Sequence, residues 1–289
     1  MAAEGISTMK PILLYLLILS MLGCVNGARS IDTGSTNHHQ HQHDHMAASN
    51  NNPNVMVFFT LADLKQGAKM PIYFPIKNPS TSPRFLPREE ADSIPFSSQK
   101  LPYLLNFFSF PPGSHQATAM EQTLTHCEGD PIKGEVKFCA TSLESMLDFV
   151  RETLQGEGEG EGGVRAVSTT HLNRSSGVVL QNYTVLGEPR EVEAPKLVSC
   201  HTMPYPYAIF YCHSQATENK VFLVDLEGVE KNGDRVEAVA VCHMDTSQWG
   251  RGHVSFQVLG VEPGFSGVCH FFPEDNLVYV PRVRTHAAA

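Results

Sequence analysis

Val221-Phe222-Leu223-Val224, then Lys231-Asn232-Gly233-Asp234, then Val236-Glu237-Ala238-Val239-Ala240-Val241 ending in Cys242-His243: this stretch sets the fold class. Two runs rich in β-branched and aromatic residues flank a turn-forming tetrapeptide, which is the pattern of an antiparallel hairpin. Similar runs surround it at Val178-Val179-Leu180, Tyr207 to Tyr211, Val254 to Leu259 and Leu277 to Val280. Gly, Pro, Asn and Asp punctuate them, so residues 195–283 read as a mostly antiparallel sheet. Upstream, Leu143, Met146, Leu147, Val150 and Leu154 recur at helical spacing behind a Thr141/Glu144 capping box, which predicts a helix over about 142–155. The expected class is α+β: a mainly antiparallel β C-terminal region with at least this one helix, disulfide-linked.

The same hairpin carries the chemistry. Cys242-His243 is one of four Cys-His dipeptides, with Cys200-His201, Cys212-His213 and Cys269-His270. Intervals of ten, twenty-eight and twenty-five residues separate successive pairs. Cys and His together serve redox chemistry and soft or borderline metals. On a strand, neighbouring side chains point to opposite faces, so one Cys-His pair does not easily grip a single ion. That favours a division of labour, with cysteines cross-linked on one face and His201, His213, His243 and His270 gathered on the other. Clustered imidazoles suit copper or zinc. Two alternatives remain: a mixed Cys/His zinc site, whose usual C-x-x-C or H-x-x-x-H spacing is missing, and disulfides beside histidines that are merely hydrogen-bonded.

Composition narrows the rest. The 289-residue chain has a formal net charge of −9 and no Lys/Arg block, which argues against nucleic acid as a partner. Lys10, the apolar run Ile12 to Leu22 and Val25-Asn26-Gly27 predict a signal peptide over residues 1–27. The run is short for a membrane span, although an uncleaved anchor is the competing reading. Cleavage before Ala28 removes Cys24 and leaves Cys127, Cys139, Cys200, Cys212, Cys242 and Cys269. An even number in an oxidising compartment predicts disulfides, with fifteen complete pairings allowed. Cys127 and Cys139 flank one short segment before the helix and are expected to pair, leaving the other four to pair among themselves. Asn173-Arg174-Ser175 and Asn182-Tyr183-Thr184 are sequons, so Asn173 and Asn182 are candidate glycosylation sites.

Residues 28–54 are polar and hold His38, His39, His41, His43 and His45, then Asn50, Asn51, Asn52 and Asn54; they read as a disordered leader. Residues 76–98 read as an extended Pro/Ser-rich surface segment, and Leu101 to Phe110 as a short helix or turn. The Gly/Glu alternation from Gly156 to Gly163 reads as a flexible acidic loop. Its G-x-G-x-x-G match lies after a helix and carries glutamates, which rules out a dinucleotide loop. No G-x-S-x-G, phosphate-binding loop or H-E-x-x-H motif is present. Asp245, Trp249 and His253 follow the third Cys-His pair; Trp249, the only Trp, either walls a pocket or is core.

These residues resemble a known family, the plant BURP domain. Beyond the four pairs, the similarity includes Phe58-Phe59 with Asp63-Leu64 and Gly67, then Ala91-Asp92-Ser93-Ile94-Pro95-Phe96 and Cys127-Glu128. It extends through Cys139-Ala140-Thr141-Ser142-Leu143-Glu144-Ser145-Met146, Tyr205-Pro206-Tyr207, Asp245-Thr246-Ser247 with Trp249, and Val268-Cys269-His270-Phe271. The second interval, twenty-eight, is slightly longer than the family's usual one. The resemblance spans residues 55–283, with a tail at 284–289, and implies a plant protein with a signal peptide, a variable leader and one C-terminal domain.

Family members include cell-wall proteins, a polygalacturonase non-catalytic subunit, and proteins linked to seeds, pollen-coat tissue or drought and salt responses. A subset are copper-dependent peptide cyclases that cross-link a Tyr or Trp side chain. By resemblance, His201, His213, His243 and His270 would be copper ligands and copper the cofactor. Residues 28–56 contain no Trp and no Tyr, so cyclisation within the chain's own leader is not expected. The expectation is a secreted, non-catalytic protein of the apoplast, cell wall or a compartment such as the vacuole, with a role in development or stress response. Its partners would be wall polysaccharide or a wall enzyme. The alternative is a cyclase acting in trans on a peptide substrate.

Overall fold

The computed structural model describes residues 58–75, 77–78, 80–154, 163–174, 180–229 and 233–282. The signal peptide, the leader, most of the Gly/Glu run, residues 178–179 and 231–232, and the tail lie outside the described residues. The first half of the described chain holds β1 (Phe58–Phe59), β2 (Lys69–Tyr73), α1 (Arg88–Ser93), α2 (Leu101–Phe107), α3 (His115–Glu128), β3 (Glu135–Ala140) and α4 (Leu143–Leu154). Then come β4 (Val164–Val167), β5 (Thr170–Asn173), β6 (Leu180–Val185), β7 (Arg190–Glu191), β8 (Val198–Met203) and β9 (Ile209–Gln215). β10 (Asn219–Gly228), β11 (Arg235–His243), α5 (Val254–Leu259), β12 (Val268–Phe272) and β13 (Leu277–Pro281) complete it.

The expected α+β class, mainly antiparallel, is what the chain adopts. The strands divide between two sheets, however, not one. The first runs β1-β12-β11-β10-β6-β2, with β5 also pairing β11 and β7 pairing β10; the second runs β3-β9-β8-β13-β4. β10 and β11 pair antiparallel from Asn219↔His243 to Glu227↔Arg235, with Gly233 at φ 49° in the connection. This is the predicted hairpin.

β11 explains why its sequence is apolar without alternation. Val236, Ala238, Ala240 and Cys242 pack with Met70, Tyr183 and Phe271 on one face. Val239 and Val241 pack on the other against Val167, Val278 and Val280 of the second sheet. A strand buried on both faces has no polar side to show. The second sheet's other face is covered by α4, whose Met146, Val150 and Leu154 sit against Val198, Cys200 and Cys212. α2 and α3 pack around Tyr205, Tyr207 and Ile209.

Several local expectations change. The cap of α4 lies one residue later than Thr141/Glu144: the Ser145 N–H donates to Ser142 Oγ at 3.1 Å and the Ser142 N–H to Ser145 Oγ at 3.2 Å. Leu143, expected in the stripe, is the first residue of the helix and stands 43% exposed. Val254 to Leu259, read as a strand, is the helix α5. His253 caps it, accepting the Ser255 N–H on its imidazole, and Gly260 closes it at φ 65°, where a residue without Cβ is unstrained. β12 already has β1 and β11 on its two sides, so no ladder position is open beside it. Residues 88–93, expected to be extended, form α1 behind Pro87, with Glu89 and Glu90 favourably placed in the first turn. α3 was not anticipated from the sequence; Ser114 caps it, and Ala117, Met120 and Leu124 give a buried face too narrow to dominate the pattern.

Candidate metal centre

Strand register builds the site. Cys200 lies directly opposite Cys212 in the β8–β9 pair, and Cys242 opposite Cys269 in the β11–β12 pair. Each of these facing pairs forms a disulfide, with Cα atoms 4.0 Å apart. In an antiparallel pair, the residue after each facing Cys moves to the sheet's other face and one step beyond its partner. The two following histidines therefore lie diagonally across the ladder, within side-chain reach. His201 is opposite Tyr211 and His213 opposite Ser199; His243 is opposite Val268 and His270 opposite Val241. Sulfur goes to the outer faces, beside α4 in one sheet and Met70 in the other. Imidazole goes inward, where the two sheets face each other.

The inward step brings all four rings together. Ring centroids are 5.4 Å apart for His201–His213, 6.4 Å for His213–His243, 5.6 Å for His243–His270 and 6.0 Å for His270–His201. The four distances close a circuit with two members from each sheet. His201, His213 and His243 are buried and His270 is partly exposed. Burial pushes His201 and His243 well below the usual imidazole range, and the neighbouring rings add to the effect. Burial likewise lowers His270 to about 4, with a backbone hydrogen bond at Phe271 acting against it. These three imidazoles are neutral near pH 7, the form that offers a lone pair to a metal.

Polar side chains surround the rings, buried in the case of Glu135, Gln215 and Asn276 and half-buried in that of Asn219. Glu135 Oε1 is 2.9 Å from His213 Nδ1. Asn219 Oδ1 lies 2.7 Å and Gln215 Oε1 3.1 Å from His243 Nδ1. Asn276 Nδ2 lies 3.1 Å from His201 Nδ1. Trp249 packs on His243 at 5.1 Å and on His253 at 4.6 Å, so it is both core and wall. Tyr211 lies between His213 and His126, and burial followed by the Glu135 carboxylate pushes its hydroxyl far up. Asp245 is exposed and holds a turn through the Ser247 N–H, away from the rings.

The donor set fits copper or zinc chemically, since both take neutral imidazole nitrogen. His201 Nε2 and His213 Nε2 are 3.3 Å apart, and two nitrogens each about 2.0 Å from one tetrahedral ion lie about 3.3 Å apart. Among the described residues, no group of three or more His, Cys, Asp or Glu already stands in a metal-holding arrangement. Closing the circuit on an ion would take movement of the His243 and His270 rings toward the first two. The cysteines are engaged as disulfides on the far faces, so a mixed Cys/His zinc site does not fit this structure.

A family model, the BURP domain, matches residues 57–281. The chain belongs to the BURP domain family. Among its relatives, BURP domain-containing protein BNM2A of Brassica napus is 42% identical over 287 residues, covering 98% of this chain and all of that one. BURP domain protein USPL1 of Arabidopsis thaliana is 44% identical over 234 residues, 80% of this chain and 81% of its own. BURP domain protein RD22, also from Arabidopsis thaliana, is 42% identical over 229 residues, 78% of this chain and 56% of its own.

In this BURP domain the third disulfide is the expected Cys127–Cys139, which ties the end of α3 to β3. It places His126 at 4.5 Å from the Tyr211 ring. Asn173 and Asn182 both present exposed side chains from strands. Sequence reasoning missed Glu135, Asn219 and Asn276 because nothing local marks a Glu or Asn that will turn toward a histidine; each lies 24 to 78 residues from the histidine it touches, counted from its position. No helix among the described residues is long and apolar enough to cross a membrane.

Proposed function

We propose that this chain is a secreted plant BURP-domain protein that holds copper through His201, His213, His243 and His270. It serves without catalysis in the cell wall, the apoplast or a secretory compartment such as the vacuole, in development or stress response. The observation that carries the metal reading is the closed circuit of four imidazoles, drawn from two sheets and backed on each by a cross-strand disulfide. Three disulfides also support an oxidising compartment. Copper favours nitrogen donors over the other divalent first-row ions and would add one-electron redox chemistry to the site. The chain's own part is to hold the rings neutral and close together.

The test is copper content after purification. Five leader histidines are further nitrogen donors that would confuse the assay, so His38, His39, His41, His43 and His45 are first changed to Gln in the full chain. Replacing any one of the four site histidines by Ala should then lower bound copper while the melting transition stays cooperative. Unchanged copper in all four variants would rule out the site. Co-sedimentation with pectin or a polygalacturonase tests the wall partner.

A second reading is a copper-dependent cyclase acting in trans on Tyr- or Trp-containing peptides. It is favoured by the partial exposure of His270, which opens one edge of an otherwise buried cluster. Incubation of the copper-loaded protein with such peptides under dioxygen, the oxidant that takes up the two electrons and two protons, should produce a cross-linked product lighter by two hydrogens, and no product should form without dioxygen. Copper binding without that product leaves the non-catalytic reading standing alone.

A further inference from the structure

Two asparagines, Asn276 buried and Asn219 half-buried, hold their histidines in opposite tautomers. Asn219 gives its Nδ2 to the Thr217 carbonyl at 2.7 Å, with the Gln215 carbonyl at 3.5 Å. Its amide orientation is therefore set by backbone, and the atom facing His243 Nδ1 at 2.7 Å is an acceptor oxygen. His243 must carry its hydrogen on Nδ1, which leaves a lone pair on Nε2. Asn276 is set the other way round. Its Oδ1 accepts the Thr202 backbone N–H at 3.1 Å, so the group facing His201 Nδ1 at 3.1 Å is the amide donor. His201 Nδ1 is then an acceptor, and the hydrogen of the neutral ring lies on Nε2.

Glu135 stands beside the third ring, its Oε1 2.9 Å from His213 Nδ1 without the alignment of a hydrogen bond. A carboxylate only accepts, so its proximity favours the hydrogen of His213 on Nδ1 and leaves Nε2 as an acceptor. That Nε2 is 3.3 Å from His201 Nε2, which carries the hydrogen to donate. Donors and acceptors match from Asn276 through His201 to His213, and the Glu135 carboxylate beside His213 Nδ1 favours the same assignment.

We infer that Asn276 is a positioning residue that keeps His201 as a hydrogen-bond donor in the metal-free protein, so that His201 joins a metal only after its hydrogen moves to Nδ1. His213 and His243 present lone pairs from the start; His201 is the ligand that must be switched. This refinement rests on the copper reading of the four histidines, but its first test does not. Moving the hydrogen to Nδ1 means turning the Asn276 amide, which takes the acceptor away from the Thr202 N–H. That penalty holds the affinity of the site down. An aspartate at 276 would remove it, because one oxygen can keep Thr202 while the other accepts from His201 Nδ1.

The test has two arms on the full chain with the leader histidines changed to Gln. Imidazole ¹⁵N spectra of the metal-free protein, assigned by His→Gln replacement one site at a time, report each tautomer without any metal. The expected result is hydrogen on Nε2 in His201 and on Nδ1 in His213 and His243. Hydrogen on Nδ1 in His201 overturns the inference outright. In the second arm, Asn276→Asp should move the His201 hydrogen to Nδ1 and raise copper affinity at least about tenfold in a chelator competition, whereas Glu135→Gln should lower it about 10- to 100-fold, the usual effect of losing an outer partner of a ligating histidine. A His201 that switches in Asn276→Asp with no gain in affinity also overturns the inference. If the tautomers are as expected but no form binds copper, the copper reading falls and the tautomer assignment stands.

Discussion

Removing the Cys242–Cys269 disulfide as the Cys242→Ala/Cys269→Ala pair should cost the domain about a third or more of a typical stability. The two cysteines are 27 positions apart. Closing a loop of that length in the unfolded chain is worth about 3.6 kcal/mol in the chain-entropy description. Both sulfurs are fully buried among Met70, Phe271 and Ala240, and their loss adds roughly 1 kcal/mol of vacated packing. In a domain of this size the sum corresponds to a melting temperature lower by about 9–18 °C. The Cys200→Ala/Cys212→Ala pair closes only 12 positions and should lose about 2.8 kcal/mol from the same source before packing. Urea unfolding of oxidised metal-free protein, followed by tryptophan fluorescence of Trp249, gives both numbers. Since the ladder bonds of β11–β12 remain, the His243 and His270 rings should stay in register, and copper should still bind, more weakly. A loss below about 1 kcal/mol in the Cys242/Cys269 variant would refute the assignment of a constrained, buried cross-link there.

Other outcomes follow from the same structure. In metal-free protein, burial keeps His201, His243 and His270 neutral while the unfolded chain protonates them at the ordinary 6.5. The unfolded state therefore binds more protons as pH falls below about 6.5, so stability should be flat above that pH and drop steadily toward 4; the fall of His270 from 6.5 to about 4 accounts for at most about 3 kcal/mol of it. Chemical denaturation across pH 4–8 checks this, and a stability that rises on acidification would contradict it. Gly228→Ala should cost about 1–3 kcal/mol, because the added Cβ would sit 2.8 Å from Gln181 Cδ and dislodge the amide that donates to Asp234 at 3.0 Å. Met146→Ala, in a fully buried position, should lose about 2–5 kcal/mol, whereas exposed Leu143→Ala should stay within about 0.5 kcal/mol; equal losses would place Leu143 in the buried stripe and contradict its exposure. Endoglycosidase treatment of protein from a plant secretory host should remove two glycans, lost singly in Asn173→Gln and Asn182→Gln.

Much of this protein is written locally. The β10–β11 hairpin follows from two apolar runs and a turn, because both signals lie within a few residues and no distant contact is needed to read them. The same holds for the body of α4 and for the Cys127–Cys139 pairing across a short segment. The alternation of strand faces even separates sulfur from imidazole, since Cys and the next residue must part on any extended backbone. What that alternation leaves open is which strands meet. Only tertiary structure places β8 and β9 in one sheet and β11 and β12 in the other, and so sets His201 and His213 facing His243 and His270 across the interior. Tertiary structure also decides that Val254 to Leu259 coils, since β12 has its neighbours already and a histidine cap outweighs β-branched preference. Finally, Glu135, Asn219 and Asn276 acquire their roles from backbone partners that fix each amide or carboxylate toward one ring. The contacts with the rings themselves join residues far apart in the chain, Glu135 with His213, Asn219 with His243 and Asn276 with His201, and a one-dimensional pattern holds no trace of them.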